Sequence, residues 1–184
     1  MKSTALKYGR VAQLFHWLSA LLIAVLIPMG FWMQSAEPAV KPLLYKTHVL
    51  IGLSVLGITV LRLVWRWLDT TPDLPAGLEG RQRLAYQGIH WLLYLVLLVL
   101  AASGIALNLT SGLSDVLFAG APGPIPANLA EFPARAAHGL LARIFIGLLV
   151  AHLVGVVSYQ VTHGDVLSRM GLAGLGLTQP EQKK

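Results

Sequence analysis

Four apolar stretches, residues 11–33, 46–68, 85–109 and 135–160, constrain this chain more than any other feature. Each can cross the hydrocarbon core of a bilayer, which takes about 20 residues of helix. A soluble fold would have to hide all four from water, and the composition points the other way: of 184 residues, 55% are hydrophobic and only 12% are charged. The expected class is an all-α membrane protein, a four-helix up-down bundle. The first stretch follows Lys2, Lys7 and Arg10 and so imitates a secretory signal. Its apolar run exceeds the usual signal core of about 7 to 15 residues, so it is expected to stay as a span. No repeat, low-complexity tract or shift in composition divides the sequence, and residues 1–184 read as a single domain.

Orientation follows from the connections, because Lys and Arg gather on the cytoplasmic side of short loops. Arg10 precedes the first span, Arg62, Arg66, Arg81 and Arg83 surround the second connection, and Arg169, Lys183 and Lys184 follow the fourth span. The opposite connections are poorer in positive charge. Residues 34–45 hold Glu37 and Lys41, and residues 110–134 hold Asp115, Glu131 and several prolines. Both termini are therefore expected in the cytoplasm, with the chain in a bacterial inner membrane and the other connections in the periplasm. In GAPGPIPANLAEFP the prolines lack the amide donor that a helix needs, so a surface loop is expected over the outer mouth.

The remaining composition removes several functions. The net charge of +6 lies between apolar runs and forms no patch with interleaved aromatics, so nucleic acid is not an expected partner. With no cysteine there is no disulfide, thiolate metal site, iron–sulfur cluster or covalently attached haem. Histidine is the soft-metal ligand that remains.

His138 and His152 lie fourteen residues apart in the last span. At about 100° and 1.5 Å per residue they share a face to within about 40° and stand about 21 Å apart along the helix. With alternating helix directions, His48 is level with His138 near the outer surface, and His16, His90 and His152 are level near the inner one. A single intramembrane imidazole is often no more than an interhelical hydrogen bond worth about 1 kcal/mol. Ionisable groups arranged at two depths mark an electron, proton or ligand route. A structural zinc site would need four protein ligands, and a cation transporter would favour carboxylates and broken helices, whereas no acid lies mid-span. Paired imidazoles fit the axial positions of a b-type haem, whose porphyrin supplies the other four nitrogens. Spacing alone leaves His90 able to replace His16 or His152 at the inner level.

Several stretches carry a resemblance. LFHWLSALLI in the first span, Lys46-Thr47-His48 with Gly52 one turn on, HWLLY in the third span, the His138 and His152 spacing, and GDVLSRM at residues 164–170 resemble the bacterial cytochrome b561 family over nearly the whole chain. The resemblance implies a four-helix membrane cytochrome with two haem b groups that exchanges electrons with quinone. Some relatives are superoxide oxidases that pass electrons to ubiquinone. It implies His16, His48, His138 and His152 as axial ligands of haem iron, paired as His48 with His138 in the outer centre and His16 with His152 in the inner. His90 then becomes a propionate or quinone contact, or an interhelical hydrogen bond.

Other residues have two readings each. Arg62 lies fourteen residues beyond His48 and so on nearly the same face at inner depth, where it either anchors to headgroups or holds an inner-haem propionate. Arg135 is placed for outer-haem propionates, while Arg143 is expected to snorkel from within the last span or to meet another polar group. Gly52, Gly139, Gly147 and Gly155 allow either a flat macrocycle or close helix packing. The five tryptophans mostly suit an interfacial belt, and His163 a solvated surface site. Expected partners are lipid, quinone, and either a small anionic electron donor steered by outer cations or a redox protein. The activity expected is that of a superoxide:ubiquinone oxidoreductase. The alternatives are a haem-anchoring subunit that relays electrons from a dehydrogenase and, less favoured, a non-redox metal transporter.

Overall fold

The computed structural model describes residues 2–120, 124–164 and 166–172. In chain order it contains α1 (Arg10–Ser35), α2 (Lys41–Leu68), α3 (Gly80–Thr110), a short α4 (Leu113–Phe118), a 3-10 turn (Leu129–Glu131), α5 (Pro133–Thr162) and α6 (Val166–Arg169). Among the described residues there is no strand. The helices α1, α2, α3 and α5 are each long and apolar enough to cross a membrane, so the chain is an all-helical, multi-pass membrane protein.

The helices outrun the apolar stretches for local reasons. Proline stands in the first turn of both α2 and α5, where its missing amide costs nothing and its fixed φ suits a helix start. Each helix therefore begins before its apolar run. At the other end of α3 the chain turns on Gly112, whose φ of 71° is open to glycine at little cost, and enters α4 at once. Residues 110–134 are thus not wholly a loop. Leu113 and Leu117 of α4 and Leu129 of the 3-10 turn are buried against Tyr45 and Leu107, closing the end of the bundle that carries the α1–α2 connection. On the orientation expected from the sequence this is the outer end, and the opposite one the inner. Of the proline-rich stretch expected over it, residues 121–123 lie outside the described residues, as do Lys183 and Lys184 at the other end.

Few side chains are buried elsewhere, and large apolar ones such as Leu21, Phe31, Leu95 and Val157 point outward. Lipid is the solvent such a surface requires, since each spanning helix already satisfies its own backbone. Packing is strongly paired. α1 runs along α2 and α3 along α5, whereas α2 and α3 meet over a much shorter length. Among the described residues the α5 backbone does not pack against that of α1 or α2. A seam therefore divides the two helix pairs.

The inner end is tied by polar contacts. The Ser3 hydroxyl and amide donate to the Asp69 carboxylate at 2.6 and 3.0 Å, and the Gly9 amide donates to the Ser3 hydroxyl at 2.9 Å. The Asp73 amide donates to the Ala5 carbonyl, Tyr8 to the Arg169 carbonyl, and the Trp17 indole to the Met170 carbonyl. Segments before α1, after α2 and after α5 are thereby joined into one floor.

Candidate functional site

Five histidines stand at two levels, and at each level a couple faces across the seam. At the outer level His48 of α2 faces His138 of α5, with ring centres 6.3 Å apart. At the inner level His16 of α1 faces His152 of α5 at 6.5 Å, and His90 of α3 meets His152 edge-on at 5.1 Å. Two imidazoles bound through one nitrogen each to opposite sides of one metal, with bonds of about 2 Å, have ring centres about 6 Å apart. The first two separations match that figure and the third is too short for it.

The outer rings have fitted seats. A Cβ on Gly104 of α3 would stand 3.2 Å from His138 Cε1, and one on Gly30 of α1 would stand 3.4 Å from His48 Cε1. His138 Nδ1 lies 3.1 Å from both the Leu100 carbonyl and the Ser103 hydroxyl. His48 Nδ1 is buried and has no hydrogen-bond partner among the described residues.

The inner rings border a cavity of about 640 Å³. That is within the range of about 300 to 1,000 Å³ usual for cofactor and small-molecule sites. Besides these three histidines its wall includes Arg62, Arg66, Tyr94 and a fourth histidine, His163. The Arg62 guanidinium donates to His16 Nδ1 at 3.1 Å and lies over the Tyr94 ring at 5.2 Å. Arg66 lies over Trp91 instead. His90 Nδ1 donates to the Tyr86 carbonyl one turn back in its own helix, at 2.6 Å. Gly155 also borders the cavity, and nothing stands within 4 Å of where its Cβ would be.

A second, smaller pocket of about 440 Å³ opens at the outer end between the α1–α2 turn and residues 124–130. Lys41 and Arg135 line it, and Arg135 donates to Gln34 at 3.2 Å. Arg143 is exposed on α5 and His163 is exposed with its ring stacked on Tyr159 at 4.8 Å, so neither joins the histidine levels. Gly52 and Gly147 have open space where a Cβ would stand, and Gly139 only the Arg135 guanidinium. The glycines that seat rings, Gly30 and Gly104, carry no distinguishing mark in the sequence beyond small neighbours such as Ser103.

Among the described residues no group of three or more His, Cys, Asp or Glu is arranged to hold a bare ion. A pair of imidazoles alone suits a group that brings its own equatorial donors, as a porphyrin does. The residues present fit haem b on two counts, ring separation and glycine seats. Fold and site together define a multi-pass membrane cytochrome of the b type. The family described as prokaryotic cytochrome b561 matches residues 7–172, and the chain belongs to it. It is also 28% identical over 179 residues to cytochrome b561 homolog 2 of Escherichia coli (strain K12), covering 91% of this chain and 93% of that protein. The chain is accordingly a membrane haem b electron-transfer protein.

Proposed function

We propose that the protein is a two-haem electron carrier of the bacterial inner membrane, with both termini cytoplasmic, that takes electrons from superoxide at the periplasmic face and delivers them to ubiquinone near the cytoplasmic face. The observation that carries this reading is the pair of imidazole couples across the seam, at 6.3 and 6.5 Å, one near each end of the bundle. His48 and His138 would hold the outer haem, His16 and His152 the inner. Bound haem supplies the one-electron redox change that no side chain here can supply.

The chain's own residues do the rest. Lys41 and Arg135 give the outer pocket a positive lining, which attracts a small anion and raises its local concentration. Arg135 is also placed for the outer propionates. At the inner level a guanidinium is a donor only, so Arg62 and a proton on His16 Nδ1 exclude each other. If His16 held a haem through its other nitrogen, its proton would sit on Nδ1 and Arg62 would be free for a carboxylate, for which an inner propionate is the proposed acceptor. His90 keeps its ring angle through Tyr86 and has Nε2 left for a propionate or a quinone oxygen. The cavity wall of aromatics and apolar side chains excludes water around a quinone ring. The balance is simple: two superoxide anions leave as two dioxygen molecules, and their two electrons with two protons convert one quinone to quinol.

A pyridine haemochrome assay on purified protein should count two b haems per chain, and a reduced-minus-oxidised spectrum should show both as low-spin. With ubiquinone present the protein should consume superoxide, at a rate that falls as salt screens the attraction. One haem per chain would sink the two-centre reading. An equal rate in protein stripped of haem would sink the donor.

A further inference from the structure

We infer that Leu100, Ser103 and Gly104 of α3 form a receptacle that fixes the proton and the angle of His138, and that Ser103 thereby tunes the redox potential of the outer centre. The inference rests on the proposed ligation and deepens it. The Ser103 hydroxyl donates to the Leu100 carbonyl at 2.7 Å, so its single proton is already engaged. Its oxygen, 3.1 Å from His138 Nδ1, is left as an acceptor, and the Leu100 carbonyl at 3.1 Å can only accept. Both partners therefore require the proton on Nδ1, which leaves Nε2 with its lone pair. Gly104 lets the ring reach them: a Cβ there would stand 3.2 Å from Cε1 and 3.3 Å from Nδ1.

The other rings lack this arrangement. His48 Nδ1 is buried without a partner, His16 Nδ1 accepts from Arg62, and His90 is held by its own helix. His138 alone of the five is oriented by acceptors on a neighbouring helix, along the tightly packed α3–α5 contact. A ligating imidazole whose second nitrogen donates to a well-placed acceptor is more basic and better oriented, and loss of such a partner commonly weakens a metal site about 10- to 100-fold. Greater basicity favours the ferric state. Ser103 is a positioning residue, since it acts through His138.

The test compares Ser103→Ala with Ser103→Thr in the full chain. Ser103→Ala should raise the outer midpoint potential, leave the inner one in place, and weaken retention of the outer haem about tenfold. Ser103→Thr keeps the hydroxyl and should restore both. Gly104→Ala should displace the ring and cost the outer haem more than the inner. Nitrogen-15 spectra of histidine-labelled, haem-free protein give a reading independent of haem: His138 should be protonated on Nδ1 in the wild type, and in Ser103→Ala, where the Leu100 carbonyl remains as acceptor, the proton should stay on Nδ1 with a changed shift that Ser103→Thr restores. Unchanged potentials with an unchanged Nδ1 shift in Ser103→Ala would overturn the inference, as would a wild-type His138 protonated on Nε2 or equal shifts at both centres. A wild-type protein that binds no haem would instead overturn the ligation, leaving the tautomer measurement to judge the receptacle.

Discussion

The two histidine levels are built differently. The outer level has two imidazoles, each seated against a glycine of a neighbouring helix, beneath a lid of buried leucines from α4 and the 3-10 turn. The inner level has three imidazoles, which with that of His163 border about 640 Å³ of open volume, and two arginines laid over aromatic rings. Seats of this closeness suit one rigid group. Volume of that size, together with an imidazole that stands too near His152 to lie opposite it across one metal, suits a group and a guest. On the proposed reading the outer level only receives electrons, from a donor small enough to need little room, whereas the inner level must also admit a quinone.

Removing the imidazoles of α5 should give the largest effects. His138→Ala and His152→Ala should each halve the haem count, the first sparing the inner low-spin signal and the second the outer. A variant that kept two bis-histidine haems would break the pairing. Next comes the contrast within the inner level: His16→Ala should lose the inner haem, and His90→Ala should keep both while slowing ubiquinone reduction. If His90→Ala loses a haem and His16→Ala does not, the inner couple is His90 with His152.

Arg62→Ala should act more gently, keeping both haems. A fixed positive charge favours the reduced form, so a redox titration should find the inner potential lowered and the outer unmoved. Arg66→Ala, whose guanidinium lies over Trp91 instead, should do much less. The smallest effect belongs to the inner floor. Desolvation pushes the Asp69 carboxyl up, but hydrogen bonds from the Ser3 hydroxyl and amide, the Thr70 amide and the Trp65 indole outweigh it and hold the carboxyl below the usual range. A depressed value in the folded state means that the tie is at full strength above the ordinary carboxylate pKa of about 4 and is lost as pH falls through the lower, folded value. Protection of the Ser3 and Gly9 amides against hydrogen exchange, relative to the intrinsic rate at each pH, should therefore fall on acidification, and in Asp69→Asn should be low throughout.

Much of this was legible in the residues. Run length identified the four spans, and helical rise and rotation put the histidines at two depths and Arg62 on the face of its helix that carries His48, where it touches His16. What rotation along one helix cannot supply is the register between helices. Gly30 and Gly104 matter because of which ring arrives opposite them, and neighbouring glycines with the same local sequence signature face open space. The α4 helix was hidden by the prolines downstream, although Leu113 and Leu117 already had the four-residue spacing of a buried stripe. The ring separations that set His16 apart from His90 depend on how α1, α3 and α5 pack, which lies beyond any single helix.

Both couples draw their second imidazole from α5, the last of the four long helices. Synthesis runs from the amino end, so His16, His48 and His90 are all in the growing chain before His138 has been made. A ribosome that stalls anywhere earlier releases a product with at most three of these imidazoles and neither of the proposed couples complete. Under the proposed ligation, competence to carry electrons is withheld until the final span arrives and is then conferred on both centres by one helix, so an abandoned fragment cannot leak electrons into the membrane.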